Sequence, residues 1–321
     1  MRPSPEDVAR VAVETGFPEE TLDKVFRLMS LLDGLRSHPY LRPRLALKGG
    51  TALNLFVFDL PRLSVDVDLN YVGSVDSETM LTERPKLEQA IQAVCGREGL
   101  AVRRVPSEHA GGKWRLTYTG STGTGTLGLD VNFIFRAPLW PPVVLDSREV
   151  GGFRATKVRV LDRHELAAGK LVALLARAAS RDLFDASELL RSGEMDRSKL
   201  RLAFVVYGGI NRNDWRTVSA ESVASDPVEV WGQLVPLLRP DIAPDRKNLN
   251  AWTQNLIDQC RSLLSAVLPL AAPEVEFLAR LNDYGEVVPE LLTDDADLAT
   301  IIRNQPGLQW KALNVRKHGN L

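Results

Sequence analysis

Two aspartates separated by a single residue, Asp66 and Asp68, are the side chains in this sequence best suited to hold a metal ion. They lie in residues 64–69, SVDVDL, where alternating polar and apolar residues predict a β-strand with both carboxylates on one face. Neighbouring carboxylates repel each other unless a cation lies between them. Oxygen ligands of this kind suit Mg²⁺, which usually keeps waters and substrate phosphates as its other ligands. The pair therefore predicts a site for Mg²⁺, or for Mn²⁺ in its place.

A glycine pair precedes these aspartates, in the run Lys48, Gly49, Gly50 and Thr51. Glycines can take a positive φ and let a phosphate approach the backbone. Thr51 is a suitable N-cap for a short helix over residues 52–58, and free N–H groups at a helix start attract anions. A phosphate cradle beside two metal-binding carboxylates is typical of nucleotidyl or phosphoryl transfer. A glycine turn followed by an edge strand with two solvated aspartates is the alternative interpretation.

Asp130 is a third carboxylate candidate, on the strand LGLDVNFIF, which we expect to be buried. A lone buried carboxylate needs a partner. A metal site shared with Asp66 and Asp68 would provide one. A hydrogen-bonded structural aspartate at the end of a strand is the alternative.

The segment GKLVALLARAASRDLFDASELL predicts a helix with a charged face. Each helical residue advances about 100°. If the helix is continuous, four side chains lie on one stripe with Asp182 off its centre: Lys170, Arg177, Arg181 and Asp185. Three cations on one helix face repel each other, and a triphosphate lying along that face would offset the repulsion. A solvated basic face with an internal salt bridge is the alternative.

Composition limits the class of protein. The chain has 321 residues and a net charge of −1, so any nucleic-acid binding must use a local basic patch. Its two cysteines, Cys95 and Cys260, match no metal spacing and predict free thiols in a reducing cytoplasm. No apolar run approaches the length of a membrane span, and the N-terminus lacks the apolar core of a signal peptide. We therefore expect a cytoplasmic protein with no membrane partner.

The hydrophobic periodicity divides the chain into residues 1–160, an α+β domain with a mixed sheet, and residues 161–321, a largely helical domain. In the first we expect helices from Ser4-Pro5, at 19–36 and at 86–98, and a polar loop and helix start at 76–84. We also expect strands at 101–105, 113–119, 126–135, 143–145 and 156–160, and a hairpin loop at 120–125. In the second we expect a helix at 163–179 that either ends there or runs on over 181–190, and further helices at 196–206, 227–238, 249–267, 273–281 and 296–303, followed by a basic, polar tail.

The order GGTALNL, RLSVDVDL, a strand aspartate and KLVALLARAASRDLFD resembles the AbiEii toxins. These are nucleotidyltransferase-like proteins of bacterial abortive-infection and toxin–antitoxin systems. They are related to the MenT-type toxins and belong to the DNA polymerase β-like nucleotidyltransferase superfamily. The resemblance is strongest over residues 45–190, and the RDxxD ending at Asp185 adds to its specificity. It implies a nucleotidyltransferase-like first domain and a helical domain that carries the Lys170–Asp185 motif.

The resemblance also implies roles at matching positions. Asp66 and Asp68 would bind the divalent metal, Lys170 would contact the triphosphate, and Asp185 would complete the essential set. Asp130 would act as a general base or only as a structural residue. The predicted nucleotide-binding residues are Lys48, Gly49, Gly50, Thr51, Ser64, Arg177 and Arg181.

One departure concerns the phosphate contacts. The superfamily's usual Gly-Ser pair directly precedes its aspartates, whereas here the glycine pair lies upstream and only Ser64 precedes Asp66. This arrangement resembles the toxin branch.

The expected activity is Mg²⁺-dependent transfer of a nucleoside monophosphate from an NTP to an acceptor hydroxyl. By resemblance the acceptor is the 3′ end of tRNA or another RNA, with growth arrest as the result and an AbiEi-like antitoxin as a partner. Transfer to a protein or to a small molecule such as an aminoglycoside is the first alternative. A non-catalytic RNA- or protein-binding module that kept only the fold is the second.

Overall fold

A computed structural model describes residues 3–58, 61–105, 111–120, 123–193 and 195–318. The chain forms two compact units. Unit 1 comprises Met1–Arg136, Pro141–Leu161 and Val235–Ala243. Unit 2 comprises Ala137–Trp140, Asp162–Leu234 and Pro244–Leu321.

Unit 1 is built on a seven-stranded sheet with the order β3-β4-β5-β2-β1-β7-β6. The strands are β1 Leu45–Lys48, β2 Asp66–Tyr71, β3 Ala101–Val105, β4 Gly111–Gly120, β5 Gly123–Asn132, β6 Val143–Leu145 and β7 Val158–Val160. The central strand β2 runs antiparallel to β1 and parallel to β5. β4 is antiparallel to both β3 and β5, and β7 is parallel to β1. The predicted mixed sheet is therefore confirmed.

The helices of unit 1 are α1 Pro5–Thr15, α2 Glu19–Ser37, α3 Gly49–Ala52 and α4 Ser77–Arg97, and α3 continues as a π-helical turn over Leu53–Val57. Helix α1 begins where Ser4 and Pro5 predict it, with the Ser4 hydroxyl accepting from the Asp7 N–H at 3.1 Å. The helix start predicted within 76–84 is confirmed, but the loop before it is shorter than predicted. The Asp76 carboxylate caps α4 by accepting from the Thr79 N–H at 2.7 Å, so the helix begins at Ser77.

The two faces of the sheet differ sharply in polarity. Apolar side chains of the central strands, such as Val67, Leu69 and Leu129, are buried on one face. Asp66 and Asp68, which alternate with Val67 and Leu69 along β2, are half-buried. The polar face therefore carries the carboxylates, while the apolar face supplies the core.

The hairpin between β4 and β5 is tighter than predicted. The two strands stay paired as far as Gly120 opposite Gly123, so the loop predicted at 120–125 is mostly strand. Residues 121 and 122 lie outside the described part of the chain. Thr124 and Gly125 are paired across the ladder with Thr119 and Tyr118.

Unit 2 is helical: α5 Arg163–Arg177, α6 Ser180–Ser192, α7 Arg197–Ile210, α8 Pro227–Glu229, α9 Leu249–Leu263, α10 Ala272–Ala279, α11 Ala296–Arg303 and α12 Pro306–His318. Shorter turns follow α8, α9 and α10, at Val230–Leu234, Leu264–Ala266 and Arg280–Tyr284. The tail, treated as polar chain in the sequence, is largely the helix α12. Among the described residues, no helix combines the length and apolar character needed to cross a bilayer.

The helix predicted from residue 163 does not run on into 181–190, because α5 ends at Arg177 and α6 begins at Ser180. Ala178 adopts the left-handed conformation with φ 52°, and its N–H donates to the Leu174 carbonyl. The backbone N–H and hydroxyl of Ser180 both donate to Glu229 Oε1 at 2.9 Å. Glu229 thus stabilises a helix break at which the sequence has neither glycine nor proline.

Candidate functional site

Asp66 and Asp68 lie on the central strand of unit 1, on the face opposite the buried Val67 and Leu69. The strand alternation predicted from the sequence is confirmed. Both side chains are half-buried, so they are partly screened by protein yet accessible to a ligand. Among the described residues, no lysine or arginine forms an ion pair with Asp68.

Two glycines leave the space that these carboxylates occupy. Gly49 has φ +73°, and a Cβ there would lie 2.3 Å from Asp68 Oδ2. Gly128 on β5 lies opposite Asp66, and a Cβ there would lie 2.8 Å from Asp66 Oδ1. Any side chain at either position would displace a carboxylate. Gly128 was not predicted as part of the site, although a glycine inside a strand often marks such a close approach.

Thr51 ties α3 to the strand of the aspartates. Its side chain is fully buried, and its hydroxyl lies 2.5 Å from the Asp66 carbonyl oxygen and 3.0 Å from Ser64 Oγ. The prediction that Thr51 caps a helix is wrong, because α3 begins at Gly49 with Lys48 in the cap position. The Thr51 hydroxyl donates to the Asp66 carbonyl oxygen on β2 instead of capping the start of the helix. Its contact holds the helix against Asp66.

Gly50 faces Ser64 and Arg62. A Cβ at Gly50 would lie 3.0 Å from Ser64 Oγ and 3.1 Å from Arg62 Nη2. The Arg62 side chain is buried, and its Nη1 donates to the Leu63 carbonyl at 2.8 Å. The structure thus brings Gly50 and Ser64 together. It also adds the Arg62 guanidinium, which was not predicted from the sequence.

Lys48 lies directly opposite Asp68 in the antiparallel register of β1 and β2. Its side chain is half-buried at the end of β1, where the backbone is extended before α3 begins. It therefore lies beside the carboxylate pair, and its contact with a nucleotide stays a prediction.

Asp130 differs from the prediction that it is buried. It lies on β5 in register with Asp68, and its side chain is 39% exposed. Its Oδ2 accepts from Lys113 Nζ at 3.0 Å. The apolar residues around it in the sequence, such as Leu129 and Val131, belong to the opposite face of the strand. Asp130 therefore has a lysine partner without a metal.

The donor set fits a divalent cation that takes only part of its shell from the protein. Asp66 and Asp68 provide hard oxygen ligands on one face, and Gly49 and Gly128 leave room around them. In the described part of the chain, no three His, Cys, Asp or Glu side chains are grouped to hold a metal. Mg²⁺ commonly binds one or two carboxylates and completes its octahedron with water and substrate phosphates. The pair therefore fits Mg²⁺ as a two-carboxylate site.

Unit 2 contains a separate cluster of charges. Lys170 Nζ lies 2.7 Å from Asp182 Oδ1 and 2.9 Å from Asp185 Oδ2. All three side chains are at least nine-tenths buried. The structure therefore brings Lys170 and Asp185 together as predicted from the charged stripe, and it adds Asp182.

Asp182 was missed because a continuous helix places it away from Lys170. The break at Ala178 turns the first residues of α6 back, so that Asp182 also accepts from Arg177 Nε at 2.7 Å. Burial raises the pKa of Asp182, but the charge of Lys170 and the hydrogen bond from Arg177 outweigh it, and the pKa lies below its usual value. Asp182 is therefore an anion that holds two cations.

The remaining two predicted residues of this motif differ in burial. Asp185 is fully buried on α6. Arg181 is half-buried one residue before Asp182. Both side chains interact with other groups, so neither is an isolated charge on a solvated helix face. The internal salt bridge of the alternative is present between Lys170 and Asp185, but Lys170 is buried and not part of a solvated face.

Comparison with known proteins gives a family and a fold. The family described as nucleotidyl transferase AbiEii toxin, type IV TA system, matches residues 30–280. No curated protein sequence matches the chain.

Among solved structures, MenT4, a nucleotidyltransferase toxin from Mycobacterium tuberculosis H37Rv, is similar with a TM-score of 0.58 and 19% identity, over 96% of this chain and 99% of that chain. JHP933 from Helicobacter pylori is similar with a TM-score of 0.48 and 16% identity, over 78% of this chain and 94% of that chain. The likeness to MenT4 establishes the fold.

Proposed function

The chain belongs to the AbiEii nucleotidyltransferase toxin family, and on that premise we propose that it transfers a nucleoside monophosphate from an NTP to the 3′ hydroxyl of an RNA, with tRNA as the first acceptor to test. The observation that carries the proposal is the carboxylate pair of Asp66 and Asp68 with Gly49 and Gly128 packed against it. A side chain at either glycine is excluded by a carboxylate oxygen. The backbone is thus shaped around two anions that repel each other unless a cation joins them.

Asp66 and Asp68 would hold the divalent ion, and Gly50 and Ser64 would lie against the phosphates of the NTP. When bound, Mg²⁺ neutralises charge on the phosphates and polarises the α-phosphoryl group. The acceptor oxygen attacks the α-phosphorus, the bond to the β-phosphate oxygen breaks, and pyrophosphate leaves. Gly49 and Thr51 contribute by fixing where the two carboxylates point.

Lys170 would stabilise the negative charge of the triphosphate. Support comes from its fixed position between Asp182 and Asp185, since a side chain held by two partners loses little freedom on binding a ligand. Arg177 holds the far oxygen of Asp182 and is itself 66% exposed, so its guanidinium remains accessible to an anion. Asp185 would orient Lys170 through their contact at 2.9 Å.

The family membership also supports growth arrest and an antitoxin partner. Addition of nucleotides to the 3′ end of a tRNA would block its aminoacylation, and a cognate AbiEi-like protein would counteract that effect in the cell. The related MenT4 is named a nucleotidyltransferase toxin, which is consistent with the proposed outcome.

The test is incubation of the purified chain with total RNA, each α-³²P NTP in turn, and Mg²⁺ or Mn²⁺. We expect label in the tRNA band, lost on chelation of the metal and reduced at least about a thousandfold in Asp66→Asn, since that variant removes one of the two charged ligands that would hold the metal. Asp294→Asn is the matched control, because Asp294 is an exposed aspartate of unit 2, and it should retain full transfer.

Other results would redirect or reject the proposal. Label in a protein band or on a small molecule, with none in RNA, would support the alternative acceptors. If Asp66→Asn arrests growth as strongly as the parent chain, the toxin does not act through metal-dependent transfer.

A further inference from the structure

The polar face of the sheet extends beyond the two aspartates. Asp66 on β2 lies opposite Gly128 on β5, Gly128 lies opposite Arg115 on β4, and Arg115 lies opposite Arg103 on β3. These four residues form one row that crosses four adjacent strands. Because neighbouring strands lie about 4.8 Å apart, Arg115 and Arg103 come about 10 and 14 Å from Asp66 along the sheet.

Both arginines point to the open side of the sheet. Along β4, Trp114 and Leu116 are buried. Arg115 and Thr117 lie on the opposite face of the strand, which also carries Lys113, the partner of Asp130. Arg115 and Arg103 are exposed. The surface between the carboxylate pair and Arg103 is therefore continuous and accessible, with Gly128 adding no side chain to obstruct it.

The charges on this surface are unbalanced. Like charges directly opposite each other on adjacent strands destabilise a sheet. Within the described part of the chain, Arg103 and Arg115 have no ion-pair or hydrogen-bonded side-chain partner, and the nearby Asp130 is already neutralised by Lys113. Threonine side chains, Thr117 and Thr126, fill the next row and can donate hydrogen bonds to phosphate.

We propose that Arg103 and Arg115 bind the phosphate backbone of the acceptor RNA just before its 3′ end. This inference rests on the proposed function, because the row begins at Asp66, where the acceptor hydroxyl is used. A polyanion relieves the repulsion between the two guanidiniums, and an RNA strand leaving the carboxylate pair along the row meets them in succession. The surface also explains how a chain with a net charge of −1 can bind nucleic acid through a local patch.

The double variant Arg103→Ala with Arg115→Ala tests the inference through the salt dependence of binding. The probe is fluorescein-labelled single-stranded RNA, followed by anisotropy from low to high KCl. Each phosphate contact on a single strand contributes about 0.7 to the slope of log affinity against log salt, so the variant should lower the slope by about 1.4. We expect its affinity at low salt to fall at least about tenfold.

Arg42→Ala with Arg154→Ala is the matched control, because both are exposed arginines of unit 1 away from the row. It should keep the parent slope. Oligo-A and oligo-C probes should lose affinity equally in the test variant, since phosphate contacts carry no base information. A loss confined to one base sequence would contradict backbone binding.

The same variant separates this inference from the proposed function. If the parent transfers no nucleotide, the binding slope still decides whether the arginines contact RNA. If the parent transfers nucleotides and the test variant keeps the parent's KM for RNA and the parent's salt slope, the arginine inference is overturned while the function stands. An unchanged RNA slope together with lost binding of an acidic antitoxin would likewise overturn it. Should the alanine variant fold poorly, Arg103→Gln with Arg115→Gln is measured in the same way.

Discussion

Two groups of carboxylates in this chain differ in what neutralises them. In unit 1, Asp66 and Asp68 are half-buried, lie side by side on one strand face and have glycines packed against their oxygens. In unit 2, Asp182 and Asp185 are almost fully buried and share the ammonium group of Lys170. Asp68 in the first group forms no ion pair with a described lysine or arginine, whereas the second group contains its own cation.

The contrast indicates that the two groups tolerate substitution in opposite ways. A carboxylate pair that repels itself reduces stability, so its loss should affect chemistry and leave the fold intact. A buried lysine between two buried carboxylates cannot be removed without leaving uncompensated charge. The comparison can therefore be tested by measuring stability and activity separately.

The largest expected effect on stability comes from Lys170→Met. Removing the ammonium leaves Asp182 and Asp185 buried beside each other, and we expect a loss of about 3–5 kcal/mol in the free energy of unfolding. Urea denaturation followed by circular dichroism measures it. Asp68→Asn should lose nothing, or gain stability, in the same assay with EDTA present.

Lys247→Met is the control for the lysine substitution, because Lys247 is exposed, and its change should stay within about 0.5 kcal/mol. If Lys170→Met and the parent unfold at the same urea concentration, the two groups of carboxylates do not differ in the way described.

A buried carboxylate that forms no ion pair with any residue in the described part of the chain sharpens the comparison. Glu165 on α5 accepts from the Tyr207 hydroxyl and from the Trp140 N–H, at 3.1 Å for the latter. Burial, only partly offset by these hydrogen bonds, raises the pKa of Glu165 to about 7. The folded chain thus keeps a proton between about pH 4.5 and 7 that the unfolded chain releases, so stability falls as pH rises through this window.

Glu165→Gln should remove this fall, because glutamine is neutral at every pH. Relative to the parent, we expect the variant to gain about 3 kcal/mol at pH 8 and little at pH 4.5. Thermal unfolding across this pH range measures the difference. Glu276→Gln, at a half-exposed glutamate, should keep the parent's pH profile. A parallel shift at all pH values would show that charge is not the cause.

A smaller loss of stability is expected for Gly49→Ala, which tests the carboxylate pair of unit 1. The positive φ costs about 1–2 kcal/mol in alanine. The new Cβ also meets Asp68 Oδ2 and must displace it, so nucleotidyl transfer should fall about a hundredfold. Gly152→Ala separates the two causes, because Gly152 has φ +87° but open space around it. It should lose similar stability and keep full transfer.

Much of the fold and part of the site follow from local sequence pattern. Three features depend on residues that are near one another in the chain. They are the strand of Asp66 and Asp68, the cap at Ser4 and the change from strands to helices after residue 161. Alternation along a strand places two aspartates on one face whatever packs around them. For that reason the carboxylate pair could be predicted before any partner was known.

The contacts around those carboxylates could not be predicted in the same way. Asp130 was expected to be buried, because sequence shows its apolar neighbours but not that they face the other side of β5, nor that Lys113 lies across the ladder. Gly128 opposes Asp66 only through the parallel pairing of two strands that are far apart in sequence. Strand register is a property of the assembled sheet.

The family, the carboxylate pair and the charged residues of the Lys170–Asp185 motif could be predicted from the sequence, since these need only residue types at short spacing. The aspartates that Lys170 contacts depend on the tertiary fold. Glu229, distant in sequence, accepts from Ser180 and stabilises the helix break at Ala178, and that break brings Asp182 to the ammonium group. Helical periodicity describes a local rotation, whereas the end of a helix also depends on which distant group satisfies its backbone.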